Sequence, residues 1–128
     1  VKRNVLPAVA AVALSISISN AQDRARTGGE LLRDCAGIET LGETTAPIDR
    51  RVAALSCVNY IEGFVEGHDS VAAITRPAAR RWFCLPKGVT IYQVASVVRK
   101  FLQDHPERLH ERAAILTGVA LLRAFPCK

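Results

Sequence analysis

Four stretches of the chain repeat apolar residues at the three-and-four spacing of an α-helix, with polar stretches between them. In the first, Thr27 and Glu30 have the spacing of a capping box ahead of Leu31, Leu32, Cys35 and Ile38, which predicts a short helix ending near Gly37. A polar loop over residues 39–47 leads to a long helix expected from about residue 49 to residue 67. At about 100° per residue, Ala54, Cys57, Ile61, Phe64 and Val65 fall on one face, and Asn59, Glu62, Glu66 and Asp69 on the opposite one. The predicted helix is therefore amphipathic with an acidic outer stripe.

Gly63 and Gly67 stand four apart in that helix. A glycine costs roughly 1 kcal/mol in a helix interior, so the pair predicts the close approach of a neighbouring backbone, with Gly67 alternatively capping the helix end. Residues 68–82 lose the pattern, and with one proline and the arginines Arg76, Arg80 and Arg81 they read as a loop with one short helical turn.

The LPKG turn, residues 85–88, precedes a second capping box, Thr90 with Gln93, and Val89 with Val94 forms its hydrophobic staple. Ile91, Val94, Ala95, Val98, Phe101 and Leu102 then define a third helix. The fourth is expected to start at Pro106, a residue suited to the first helical position. Leu109, Ala113 and Leu116 point inward there and Glu107, His110 and Glu111 outward. From residue 114 to residue 124 it is apolar on nearly every side, the pattern of a helix that is central in a fold or covered by a second subunit. The predicted fold class is all-α: one compact domain of four to five helices.

Residues 1–21 have a different grammar. Lys2 and Arg3 precede an apolar run from Val5 to Ile18, and the small residues Ser19 and Ala21 stand at minus three and minus one of a cleavage point. These are the three parts of a signal peptide. A membrane anchor needs about 18 to 20 apolar residues, and this run is shorter and interrupted by Pro7 and serines. The expected organisation is a signal peptide over 1–21 and a helical domain over 22–128, free of the membrane after cleavage. No cysteine follows the cut, which argues against a lipid-anchored lipoprotein.

The whole chain has a formal net charge of +5, and cleavage removes the two charges of Lys2 and Arg3. The remaining excess is mild and unclustered, and with 5% aromatic residues there is little to stack on bases, so nucleic acid is not expected as a partner.

All four cysteines, Cys35, Cys57, Cys84 and Cys127, follow the leader, and an even count behind a secretion signal predicts disulfides. Their spacing is far wider than the close pairs a metal site uses. The short connection between helices three and four makes them an antiparallel hairpin, which brings Cys84 and Cys127 to one open end. Cys57 faces inward within reach of Cys35. The expected pairs are Cys35 with Cys57 and Cys84 with Cys127.

Candidate chemistry is sparse. His68, Asp69 and Ser70 contain the residue types of a hydrolytic triad, but chain neighbours rarely aim their side chains at one another as that geometry requires. Glu107 and His110 have an E-x-x-H spacing, yet a di-iron bundle needs two such motifs and two further glutamates. No catalytic residue, metal ligand or cofactor is expected.

CVNYIEGFVEGH from Cys57, FCLPKGVTIYQV from Phe83, FLQDHPERLHERAA from Phe101 and AFPC ending at Cys127 resemble, in order and spacing, the successive motifs of the Rap and Tai immunity proteins of type VI secretion. The resemblance runs from Cys35 to Cys127. It implies a periplasmic, helical, often dimeric protein that binds and blocks a peptidoglycan amidase toxin and catalyses nothing. The family contacts its toxin through a helix and a protruding loop. The corresponding positions here are Asn59, Glu62, Glu66 and Asp69 on the second helix and Arg76 and Arg80 in the loop. The alternative expectation is a periplasmic stress or chaperone-like protein that exposes the apolar fourth helix when conditions change.

Overall fold

The computed structural model describes residues 25–75 and 81–128, so the expected leader and the loop arginines Arg76 and Arg80 lie outside the described residues. Among the described residues there are four α-helices: α1 (Gly28–Cys35), α2 (Ile48–Ile74), α3 (Ile91–Asp104) and α4 (Ala113–Ala124). Short 3-10 turns at Ile38–Gly42 and Pro106–Arg108 join them. Among the described residues there are no strands, only an isolated bridge between Thr27 and Arg112.

Both predicted capping boxes form. The Thr27 side chain accepts from the Glu30 backbone N–H while the Glu30 carboxylate accepts from Thr27 N–H, and Thr90 and Gln93 repeat the arrangement at the start of α3. Each box satisfies backbone donors that a helix start leaves without partners. The LPKG turn closes through Val89 N–H and the Pro86 carbonyl, with Gly88 at φ 85°, the left-handed position such a turn requires.

The core is built from the inner faces of all four helices. Leu31 and Cys35 of α1, Cys57 and Ile61 of α2, Val98 and Leu102 of α3, and Leu116 and Leu121 of α4 are fully or almost fully buried around Phe83. α1 packs against α2 and α3, and α3 packs against α4. Disulfides join Cys35 to Cys57 and Cys84 to Cys127, as the helical layout predicted. They close loops of 22 and 43 positions, which on the loop-entropy model contribute roughly 3 to 4 kcal/mol each.

Two boundaries differ from expectation. α2 does not stop at Gly67 but continues to Ile74, where Thr75 caps it and its hydroxyl donates to the Val71 carbonyl at 2.7 Å. Residues 68–74, expected to be loop, are helix because nothing among them breaks one, and Pro77 lies just beyond the cap, a usual place for proline. Gly67 is therefore a helix-interior residue and not a cap.

α4 begins at Ala113 rather than at Pro106. Its expected first turns are replaced by a 3-10 turn and an irregular stretch, because the segment entering α1 takes the backbone groups that a continuous helix would use. Gly28 N–H donates to the Glu111 carbonyl, Gly29 N–H to the Leu109 carbonyl, and Ala113 N–H to the Arg26 carbonyl, all within 2.8–2.9 Å. An Arg108–Glu111 pair, with bonds of 2.6 and 2.8 Å, clamps the same turn and holds the Glu111 carboxyl below its ordinary range, mainly through that hydrogen bond.

Candidate functional site

α2 carries the candidate surface. At about 1.5 Å per residue, its 27 residues make a rod far longer than α1. Ala54, Cys57, Val58 and Ile61 anchor its first half in the core, and beyond Ile61 no residue of the helix is fully buried. The second half rests on the core through Phe64, Val65 and His68, which stacks on Phe83, while the disulfide at Cys57 fixes its base.

Asn59, Glu62, Glu66 and Asp69 are all exposed on this helix, so the structure brings the four together as one solvent-facing stripe. The expected close approach at Gly63 and Gly67 is not made within the described chain: a Cβ built at either glycine meets nothing within 4 Å. Instead the glycines floor an open groove of about 480 Å³, bordered by Phe64, His68, Val71 and Trp82.

Trp82 is the centre of this region. It is 65% exposed and stands between the α2 groove and a second, of about 230 Å³, on α4 beside Ile115, Gly118 and Leu122. The segment carrying it is fastened from both sides. Towards the C-terminus, Cys84 is bonded to Cys127 and its N–H donates to the Phe125 carbonyl at 2.8 Å. Towards α2, Phe83 stacks on His68 with ring centroids 4.1 Å apart, and Trp82 N–H donates to His68 Nε2 at 3.1 Å.

Sequence reasoning did not single out Trp82. Its signal was present but ambiguous, since a lone tryptophan before an apolar Phe-Cys pair reads equally well as core. The apolar circumference of the fourth helix was a clearer signal: Ile115 and Leu122 are about half exposed on the outer face of α4. With the exposed Val71 of α2 and Trp82 they border two neighbouring apolar grooves that share Trp82.

The arrangement is not that of a hydrolytic triad. His68 Nδ1 lies 3.3 Å from Asp69 Oδ1, but Nε2, the nitrogen that would take a proton from a nucleophile, is already occupied by Trp82 N–H. Glu107 lies in a 3-10 turn and His110 in the irregular stretch before α4, so the helical face their spacing implied is not formed. Among the described residues no three metal-ligating side chains come together, and no helix is long and apolar enough to cross a membrane.

Among groups with altered proton affinity, burial pushes the Tyr60 hydroxyl up against the opposing charge of Arg26, which lies 5.1 Å over its ring. The Glu39 carboxyl is held down, first by its backbone hydrogen bond and further by its ion pair with Arg99. Both belong to the packing of α1, α2 and α3 and neither lies in the α2 groove.

No curated protein and no solved structure matches the chain. A family model, that of the Rap1a immunity proteins, matches residues 27–127, a span that takes in all four helices and both disulfides. The chain thus belongs to the Rap1a immunity protein family.

Proposed function

We propose that this protein is a periplasmic immunity protein that binds and blocks a peptidoglycan amidase delivered by type VI secretion, and that it acts by binding alone. The observation that carries the reading is the family match over residues 27–127; an immunity protein acts on a cognate secreted effector. Two disulfides suit an oxidising compartment, and the leader grammar of residues 1–21 supplies a route to it.

The effector surface is the acidic stripe of α2, Asn59, Glu62, Glu66 and Asp69, together with Arg76 and Arg80 of the following segment. Exposed carboxylates on a helix fixed at its base present a field of one sign. Such a field steers a basic cleft rim into register and adds specificity more than raw affinity. The apolar surface around Trp82, Ile115 and Leu122 is assigned to a second copy of the chain, because contiguous exposed apolar area is a mark of an interface.

The test is a hydrolysis assay with purified amidase effector and cell-wall peptide. Stoichiometric addition of the oxidised protein should abolish cleavage, and loss of binding to every amidase tried would remove the reading. The same apolar surface also favours a stress-protein role, in which acid exposes still more of it. That role predicts strong hydrophobic-dye binding and suppression of client aggregation at low pH. The immunity reading predicts neither.

A further inference from the structure

The two polar contacts of His68 select between its ring tautomers. A backbone N–H can only donate, so Trp82 N–H, 3.1 Å from Nε2, requires a lone pair on that nitrogen. Nδ1 faces the Asp69 carboxylate at 3.3 Å, an acceptor, and therefore carries the ring's proton. The ring that fits both partners is the neutral Nδ1–H tautomer. A second proton can add only at Nε2, where it would meet the Trp82 N–H donor to donor.

We propose that His68 is the positioning residue of Trp82 and a proton-operated latch: the neutral ring holds the Trp82 backbone against α2, and proton uptake releases it. The ring has little room to turn away and keep the bond. Its side chain is only 10% exposed and lies flat on Phe83. Imidazole is the side chain whose unperturbed charge change falls between about pH 5 and 8, which sets the range over which the latch is to be tested.

The charged surroundings are few. On α2 the neighbouring charge is the half-exposed Asp69 carboxylate, which is compatible with either ring form. From the segment packed on the ring come Trp82 and Phe83, neither of which titrates. Arg81 lines the side of Trp82 that faces Leu122 and Cys127. The residues of α4 that border the second groove, Ala114, Ile115, Gly118, Val119 and Leu122, carry no charge. Among the described residues, then, His68 is the one imidazole in this cluster.

Release acts on the apolar face because Trp82 is the ridge between the α2 and α4 grooves. Phe83 and the Cys84–Cys127 disulfide keep the C-terminal side of the segment in place, so the motion is that of Trp82 itself. The latch is independent of which partner covers that face.

Trp82 is the chain's one tryptophan, and its fluorescence reads the latch directly. The oxidised protein titrated from pH 8 to pH 5 should show a one-proton step in emission, and the Trp82 amide should lose its hydrogen-exchange protection across the same step. Nitrogen NMR at pH 8 should find His68 as the Nδ1–H tautomer. In His68→Gln, whose amide oxygen can accept from Trp82 but cannot gain charge at these pH values, the step should vanish; in His105→Gln it should remain. A step that persists in His68→Gln, a Trp82 signal that ignores pH, or an Nε2–H tautomer would overturn the proposal. Should His68→Gln fail to fold by circular dichroism, the tautomer and the Trp82 exchange profile of the unmodified protein decide the matter.

Discussion

Gly28 and Gly63 both lie inside helices, yet an alanine at each meets opposite surroundings. At Gly28 the new Cβ would collide with Leu116 Cδ1 and sit 3.4 Å from the Leu109 backbone. Leu116 is almost fully buried and has nowhere to go. Gly28→Ala should therefore lower stability by about 1–3 kcal/mol, the usual range for overpacking. At Gly63 nothing stands within 4 Å, and Gly63→Ala should raise stability by about 0.5–1 kcal/mol through helix propensity alone. Guanidinium unfolding of the oxidised variants at low protein concentration measures both. A loss at Gly63 under those conditions would mean that the space is filled. The sequence marked Gly63 and Gly67 as a place where a neighbouring backbone comes close, and among the described residues none does. A glycine signals that space is available, not what occupies it.

At the scale of elements, the legible features were the local ones. The capping boxes at Thr27 and Thr90 involve partners three residues apart, so their spacing alone predicts them, and both form. Thr90→Ala removes the acceptor of Gln93 N–H and should cost about 1 kcal/mol, seen as a fall of several degrees in Tm. An unchanged Tm would mean that α3 is held by packing alone. The ends of α2 and α4 were not legible for a physical reason. Gly67 and His68 resemble a helix terminus, but the backbone of α2 runs on to Ile74. At α4, the segment around Gly28 competes for the carbonyls of Leu109 and Glu111, a contact between residues some eighty positions apart that periodicity cannot register. The acidic stripe was legible in full, since Asn59, Glu62, Glu66 and Asp69 depend only on helical phase and are exposed together.

For the whole molecule, the two disulfides connect the core to the candidate surface. Cys35–Cys57 ties the base of α2 to α1, and Cys84–Cys127 ties the Trp82 segment to the end of α4. Replacing Cys84 and Cys127 with serine should lower stability by roughly 4 kcal/mol on the loop-entropy model, a large share of what a small domain has. The guanidinium midpoint should fall accordingly, and a midpoint unmoved by the double replacement would show that the loop is closed by packing instead. The pairing was readable because a short helical hairpin leaves its two ends side by side. The role of Trp82 was not, because it depends on how a segment between helices lies across two of them.

In the proposed function the α2 stripe of this Rap1a-family fold meets a cell-wall amidase. Calorimetric titration of the amidase effector with the oxidised protein and with a Glu62→Lys, Glu66→Lys variant separates that arrangement from the alternatives. Exposed carboxylates contribute little to folding, so the variant should keep the parent's Tm to within a few degrees while binding at least about tenfold more weakly, a loss of about 1.4 kcal/mol. Equal affinity of the two proteins for the amidase, with both folded, would move the interface off the α2 stripe.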